Sequence, residues 1–326
     1  MGKNLKHVEF IAEIASSHNG SLKILKKLVE KLMLSNLDTI KFQIFNLKKL
    51  AHPTYKFYNI LKKISISNLE YEKIIKKVLK KKKVILEPFD YESLEFCKKF
   101  KNKVSIKISA SDNENIRLIK TALENFNRVF ISVSGYNISK VTEIYKKFNK
   151  SNKIIFTYGF QSFPTDYKNL RLDFIKQIKK NHMKVCYADH TSRNNIFKNI
   201  SIIKQAIDNG AQFIEKHVIL DKNKEYVDKV SSLDVLELND LKNFFIRRIK
   251  NKKTISYNEK KYSKIMTRNG VFLYKLNKGH ILSKKDVIFL RTGQKGISEN
   301  QINMYYKKKL KNNVKKGQII EKKFFY

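Results

Sequence analysis

Eight short β-rich runs, each followed by an amphipathic stretch rich in Lys, Leu and Ile, fill residues 1–250 of this 326-residue chain. The runs are HVEFIAEI (7–14), TIKFQIF (39–45), KVILEPF (83–89), VSIKIS (104–109), VFISVS (129–134), KIIFTYG (153–159), KVCYADH (184–190) and QFIEKHV (212–218). Helical patterns lie between them, such as SLKILKKLVEKLMLS (21–35), SLEFCKKF (93–100) and NIFKNISIIKQAIDNG (195–210), the last closed by a glycine. Eight strand-then-helix units over about 250 residues is the count and length of a (β/α)8 TIM barrel, an α/β fold. A doubly wound sheet alternates similarly but uses fewer strands and a Gly-rich first turn, and no GxGxxG follows any run here.

Beyond the barrel (1–250), residues 251–265 are polar and Lys-rich without a sustained period and read as a linker. The remaining segment, 266–326, contains a weak internal repeat, LNKGHILSKKDV (276–287) against VKKGQIIEKKFF (314–325). Each copy sets a glycine in a turn ahead of a β-branched or leucine run, which predicts a small, separate β-rich domain.

The formal charge of +40 invites a nucleic-acid reading, but only eight of the 69 basic residues are Arg and Lys is spread through almost every segment. Guanidinium forks, which read phosphates and bases best, are therefore scarce, and solvated lysine faces with no nucleic-acid partner are expected. Cys97 and Cys186 lie far apart and outside any CxxC, which argues against a disulfide framework or a zinc knuckle. The N-terminus lacks the apolar core of a signal peptide, and no apolar run approaches the ~20 residues that cross a bilayer. A cytoplasmic protein without a membrane partner is expected.

In such barrels the catalytic groups sit at the C-terminal ends of the strands. Here those ends carry Glu13, Lys41, Glu87, Lys107 with Ser109, Ser132 with Ser134, Gln161, Asp189 with His190, and Glu215 with His217. Any one could be a satisfied core polar residue, but chance placement would not collect so many at one end. His190 and His217 close neighbouring strands ~4.8 Å apart, so both imidazoles can share a divalent metal; a general base beside an unrelated buried ring is the alternative. Lys41 and Lys107 make a fixed positive pocket suited to phosphate or carboxylate, unless each is merely a structural salt bridge to Glu13 or Glu87. Strand alternation sends Glu215 and His217 to one face and Lys216 to the other, towards the outer helices.

Several stretches resemble, in order, the motifs of the sialic acid synthase family: AEIASSHNGSL (12–22), IKFQIF (40–45), GFQSFPT (159–165), YADHT (187–191), GAQFIEKHVILDK (210–222) and DKVSSL (228–233). GHILSKKDVIFLRTGQKGIS (279–298) is similar to that family's appended SAF, or antifreeze-like, domain. The resemblance implies a barrel that condenses phosphoenolpyruvate with an N-acetylated aminosugar aldehyde, C3 attacking the aldehyde, water adding at C2 and phosphate leaving with C–O cleavage. It implies a divalent metal, usually Mn²⁺, on His190 and His217, and phosphoenolpyruvate on Lys41 and Lys107. Glu13 and Glu215 would line the reacting centre, with Ser109, Ser134, Gln161, Asp189 and Asp228 as substrate contacts. Arg291 would reach the barrel of the partner in a domain-exchanged homodimer. Four positions depart from the family pattern: Glu87 stands where threonine is usual, Ala110 and Ala188 where serine is, and Gln161 where asparagine is. Two other functions fit less well. One is another phosphoenolpyruvate-dependent ulosonic acid synthase. The other is a non-catalytic basic binding module, against which the full set of ionisable strand ends argues.

Overall fold

All eight runs form strands in the computed structural model, which describes residues 8–250 and 267–326: β1 (Glu9–Glu13), β2 (Thr39–Ile44), β3 (Lys83–Pro88), β4 (Val104–Ile108), β5 (Val129–Ser132), β6 (Ile154–Tyr158), β7 (Lys184–Asp189) and β8 (Phe213–Ile219). They pair in parallel in sequence order, and β1 also pairs with β8, which closes the barrel. A further short strand, β9 (Ser232–Asp234), adds to β8. The period of two divides each strand between an interior and an outer face. Ile11, Ile85, Phe130, Ile155 and Cys186 fill the barrel interior, with Phe213 packed against them. Alternate residues such as Phe10, Phe42, Leu86 and Ile214 lie under the helices in the main core.

Helix Leu22–Leu34 shows why the intervening segments fold as they do. Leu25, Leu28, Val29 and Leu32 recur at helical spacing and are its buried stripe, while the Ser21 side chain caps the start by accepting from the Ile24 N–H. The floor of the barrel is held by Glu9, which accepts from Thr39 Oγ1 at 2.6 Å and pairs with Lys83 at 2.9 Å and Arg128 at 3.3 Å.

The loop after β1 buries His18, which is 2% exposed and accepts from the Gly20 N–H through Nδ1 at 3.0 Å. Burial pushes its pKa down to about 4. The unfolded chain therefore takes up a proton near pH 6.5 that the folded chain refuses until about pH 4. Stability contributed by neutral His18 is complete above pH 6.5 and is lost as pH falls towards 4, by ~3 kcal/mol at 1.36 kcal/mol per unit. Urea unfolding across this window is expected to show that loss in the parent chain and a flatter profile in His18→Asn.

The chain divides into two compact units, Met1–Ile249 and Lys250–Tyr326. The expected linker, 251–265, lies outside the described residues. The second unit pairs β10 (Arg268–Phe272) antiparallel with β11 (Val287–Arg291) over a core that includes Phe272, Leu276, Leu282, Leu310, Val314 and Ile320. Its sequence repeat is a structural one. Leu276 and Val314, equivalent positions, exchange backbone hydrogen bonds at 3.1 and 2.9 Å. Gly279 donates to the Leu310 carbonyl as Gly317 donates to that of Phe272, each at 2.8 Å. Both glycines need positive φ, +87° and +81°. One turn of 3₁₀ helix follows each, Lys284–Asp286 and Lys322–Phe324. Two copies of one motif thus face each other about a local pseudo-two-fold.

Candidate active site

At the C-terminal mouth of the barrel lies a cavity of about 210 Å³ whose walls include Lys41, Glu87, Lys107, Glu215, His190 and His217. A larger surface groove of about 630 Å³ is lined by Lys76, Lys80, Lys98 and Lys99, side chains of the solvated kind expected from composition. The mouth differs because its charges are buried, and burial makes their mutual arrangement decisive.

Register places them together. Glu13 sits opposite Lys41 on β2 and opposite His217 on β8, and Gln43 sits opposite Glu87 on β3. Lys41 Nζ contacts Glu13 Oε2, Glu87 Oε2 at 2.8 Å and Glu215 Oε1 at 3.0 Å. Lys107 Nζ lies 2.6 Å from Glu215 Oε1 and 3.8 Å from Glu87 Oε1. The two lysines therefore do both things that the sequence left open: they pair with the carboxylates and they face the cavity. Burial pushes the Glu215 carboxyl up, but Lys107 and Lys41 outweigh it and hold it well below the usual carboxylate range. Burial pulls Lys107 down, and Glu215 with Glu87 more than reverses this, while for Lys41 burial wins and its pKa is lowered.

The two imidazoles lie with ring centroids 5.4 Å apart at 87°, and Phe163 packs against both, at 4.4 and 5.6 Å. His190 Nδ1 is 2.8 Å from the Phe160 carbonyl, an acceptor, so Nδ1 carries the proton and Nε2 keeps its lone pair. His217 Nδ1 is buried without a hydrogen-bond partner, and Asp228 Oδ2 stands 3.9 Å away. Burial keeps both rings neutral at pH 7, His190 at about 4 and His217 well below its ordinary value. Neutral rings with an orphaned nitrogen suit a metal. An ion ~2.1 Å from one nitrogen of each ring spans centroids up to roughly 6 Å apart, so this pair is within reach. No group of three or more His, Cys, Asp or Glu placed to hold an ion occurs among the described residues. The pair would thus supply two ligands, leaving the other positions for substrate or water.

The other expected site residues divide. Ser109 lines the cavity beside Ser111, their hydroxyls 2.5 Å apart. Gln161 also lines it and donates to Ser134 Oγ at 3.2 Å. Ser134 itself is not in the lining; its hydroxyl donates to the Gly159 carbonyl, so it braces the β5 and β6 ends. Asp228 is likewise set back, accepting from the Ser16 N–H at 2.8 Å, and burial raises its pKa to about 6. Asp189 is a correction. It adjoins His190 in sequence but points to the outer face, fully buried, where it pairs with Lys216 at 2.9 Å. Thr191 donates to Asp189 from both N–H and hydroxyl, and Lys216 donates to the Thr191 carbonyl at 2.9 Å. Lys216 thus finds its partner on β7, in register, and not among the helices. Arg291 lies exposed at the end of β11 in the second unit. Of the departures, Glu87 joins the lysine cluster and Ala110 lines the cavity without a hydroxyl to offer. Ala188 packs against Gly159 so closely that a Cβ on that glycine would fall 2.8 Å from its own. Reading strand ends alone missed Phe163, Gln43 and Phe89 in the wall. Alternation from Lys41 would have found Gln43; nothing local predicts how far the loop bearing Phe163 folds back.

The NeuB family profile matches residues 28–257. The chain belongs to the NeuB family. Among relatives of this NeuB-family chain, the N,N'-diacetyllegionaminic acid synthase of Campylobacter jejuni is 26% identical over 97% of this chain and 99% of its own. An uncharacterized protein of Methanocaldococcus jannaschii is 28% identical over 95% of this chain and 92% of its own. Of solved structures, the N-acetylneuraminic acid synthetase of Leptospira borgpetersenii in complex with citrate superposes with a TM-score of 0.69 at 23% identity, covering 80% of this chain and 91% of that one. That likeness supports the barrel fold.

Proposed function

We propose that this chain is a nonulosonic acid synthase that joins phosphoenolpyruvate to an N-acetylated aminosugar and releases phosphate. Its family makes it a phosphoenolpyruvate-dependent synthase. The observation that carries the finer reading is the meeting, in one cavity, of two ammoniums with two neutral imidazoles. The first pair suits an anion and the second a Lewis acid.

In this reading Lys41 and Lys107 bind the phosphate and carboxylate of phosphoenolpyruvate. His190 and His217 would hold a divalent ion, Mn²⁺ being proposed, which when bound supplies polarisation of the sugar aldehyde oxygen. The new bond joins C3 of phosphoenolpyruvate to the aldehyde carbon, water adds at C2, and the C–O bond to phosphate breaks as phosphate departs. Glu215, held ionised by both lysines, accepts a hydrogen bond from that water and orients it, the water's proton passes to the former aldehyde oxygen as the new hydroxyl forms, and Glu13 fixes Lys41. Phe163 shields the imidazoles from bulk water. Ser109 and Gln161 offer polar contacts to the substrates. Ser134 acts by bracing Gln161, and Asp228 by tying the segment after β8 to Ser16 in the loop after β1. Arg291 belongs, in this proposal, to a SAF-type domain and completes the site of the partner in a domain-exchanged homodimer. A cytoplasmic setting fits a phosphoenolpyruvate consumer, and no helix among the described residues is long and apolar enough to cross a membrane.

The test is direct. The chain is incubated with phosphoenolpyruvate, Mn²⁺ and a panel of N-acetylmannosamine and diacetamido-sugars, while phosphate and product are followed. Phosphate equal to the new acid formed, with at least one of these sugars, is expected. Turnover with some other aldehyde and none of these would replace the reading with another ulosonic acid synthase.

A further inference from the structure

Two ammoniums at the barrel mouth face three carboxylates, Glu13, Glu87 and Glu215, all nearly out of solvent. The cluster is already over-supplied with negative charge before any anionic substrate arrives. An incoming phosphate needs the same ammoniums, so one carboxylate has to yield its place.

Glu13 cannot easily move: it is 0% exposed and also accepts from the Ala15 N–H at 2.7 Å. Glu215 is gripped by both lysines, at 3.0 and 2.6 Å. Glu87 is different. It lines the cavity, the one hydrogen bond of its carboxylate among the described residues is from Lys41, and its other oxygen stands 3.8 Å from Lys107. Its carboxylate faces both ammoniums from the cavity side, with one oxygen towards each.

We propose that Glu87 is an internal counter-anion: it occupies the phosphate seat on Lys41 and Lys107, leaves when phosphoenolpyruvate binds, and returns as phosphate departs. This rests on the reading of the pocket as a phosphoenolpyruvate site. Glu87 thereby sets the affinity for substrate and for product phosphate together. It weakens ground-state binding of the first while preventing the second from lingering. The groups facing it are Lys41 and Gln43 on β2, Lys107 on β4, Glu13 on β1 and Glu215 on β8. Neither Glu13 nor Glu215 can replace its charge on the cavity side without giving up its own partners.

The experiment compares the full chain with Glu87→Gln and with the smaller Glu87→Thr. Equilibrium titration with inorganic phosphate needs no turnover; steady-state assays then give the KM for phosphoenolpyruvate and for the aminosugar. Both variants are expected to tighten phosphate binding and lower the phosphoenolpyruvate KM by about tenfold or more, equivalent to ~1.4 kcal/mol. The aminosugar KM is expected to hold. Constants that rise in both variants would show a carboxylate that positions Lys41, and constants that stay put would show a bystander; either overturns the exchange. If the parent chain turns over no phosphoenolpyruvate while the variants still gain phosphate affinity, the exchange stands and the synthase reading falls. Thermal melts of both variants verify that each is folded in the titrations.

Discussion

Lys41→Met is expected to be the most damaging single change at the mouth of the barrel. Its ammonium contacts all three carboxylates of the cluster, and the side chain is 1% exposed. Methionine fills the space but leaves Glu13 without a paired cation among the described residues and Glu215 with Lys107 alone there. Breaking a buried pair from one side costs about 3–5 kcal/mol, because the abandoned charge has no water to turn to. Turnover is expected to fall by roughly 10³-fold or more, since the anion loses a fixed cation that works best where water is excluded. Urea unfolding and phosphoenolpyruvate kinetics measure the two effects separately. The double variant Lys41→Met/Glu87→Gln is expected to recover part of the stability but not the turnover, because it removes one stranded carboxylate without restoring a cation. Wild-type stability in Lys41→Met would mean that the cluster is not held by charge pairing.

The second large effect lies on the opposite face of the same strands. Lys216 and Asp189 are both fully buried, and Lys216→Met is expected to cost about 3–5 kcal/mol by leaving Asp189 unpaired. Burial already lowers the Lys216 pKa, against the pull of Asp189, so the pair is maintained at a cost. For a unit of this size the loss corresponds to a fall in Tm of about 6–20 °C. Lys216→Met/Asp189→Leu, which replaces both charges with apolar groups, is expected to regain most of it. The network also bears on chemistry, because Thr191 and Asp189 flank His190 and the His190 carbonyl accepts from the Thr165 N–H at 2.8 Å. A measurable loss of activity in the folded single variant is therefore expected as His190 loses its brace.

The barrel was legible because eight strands alternate with amphipathic helices, and neither pattern depends on distant contacts. The mouth was legible for the same reason: Glu13, Lys41, Glu87, Lys107, Glu215 and His217 sit on interior positions of strands whose ends are unambiguous. Asp189 was not, because it and His190 end the same strand and a list of strand ends does not separate its two faces. Register supplied what the list lacked, setting Asp189 opposite Lys216. Phe163 escaped notice because the loop between β6 and the next helix returns over the histidines through tertiary packing. The repeat in the second unit could be seen as matched letters, but its pseudo-two-fold exists only in the exchanged backbone hydrogen bonds of Leu276 and Val314.

The most direct trial of the whole scheme is a Mn²⁺ titration of the chain read by the electron paramagnetic resonance of the free ion, repeated with His190→Ala and His217→Ala. The proposal predicts one bound ion per chain, lost or weakened about 10²-fold or more when either imidazole is removed, since these two rings are the ligands assigned to the ion. Undiminished binding in both variants, or no binding by the parent chain with phosphoenolpyruvate present, would contradict it.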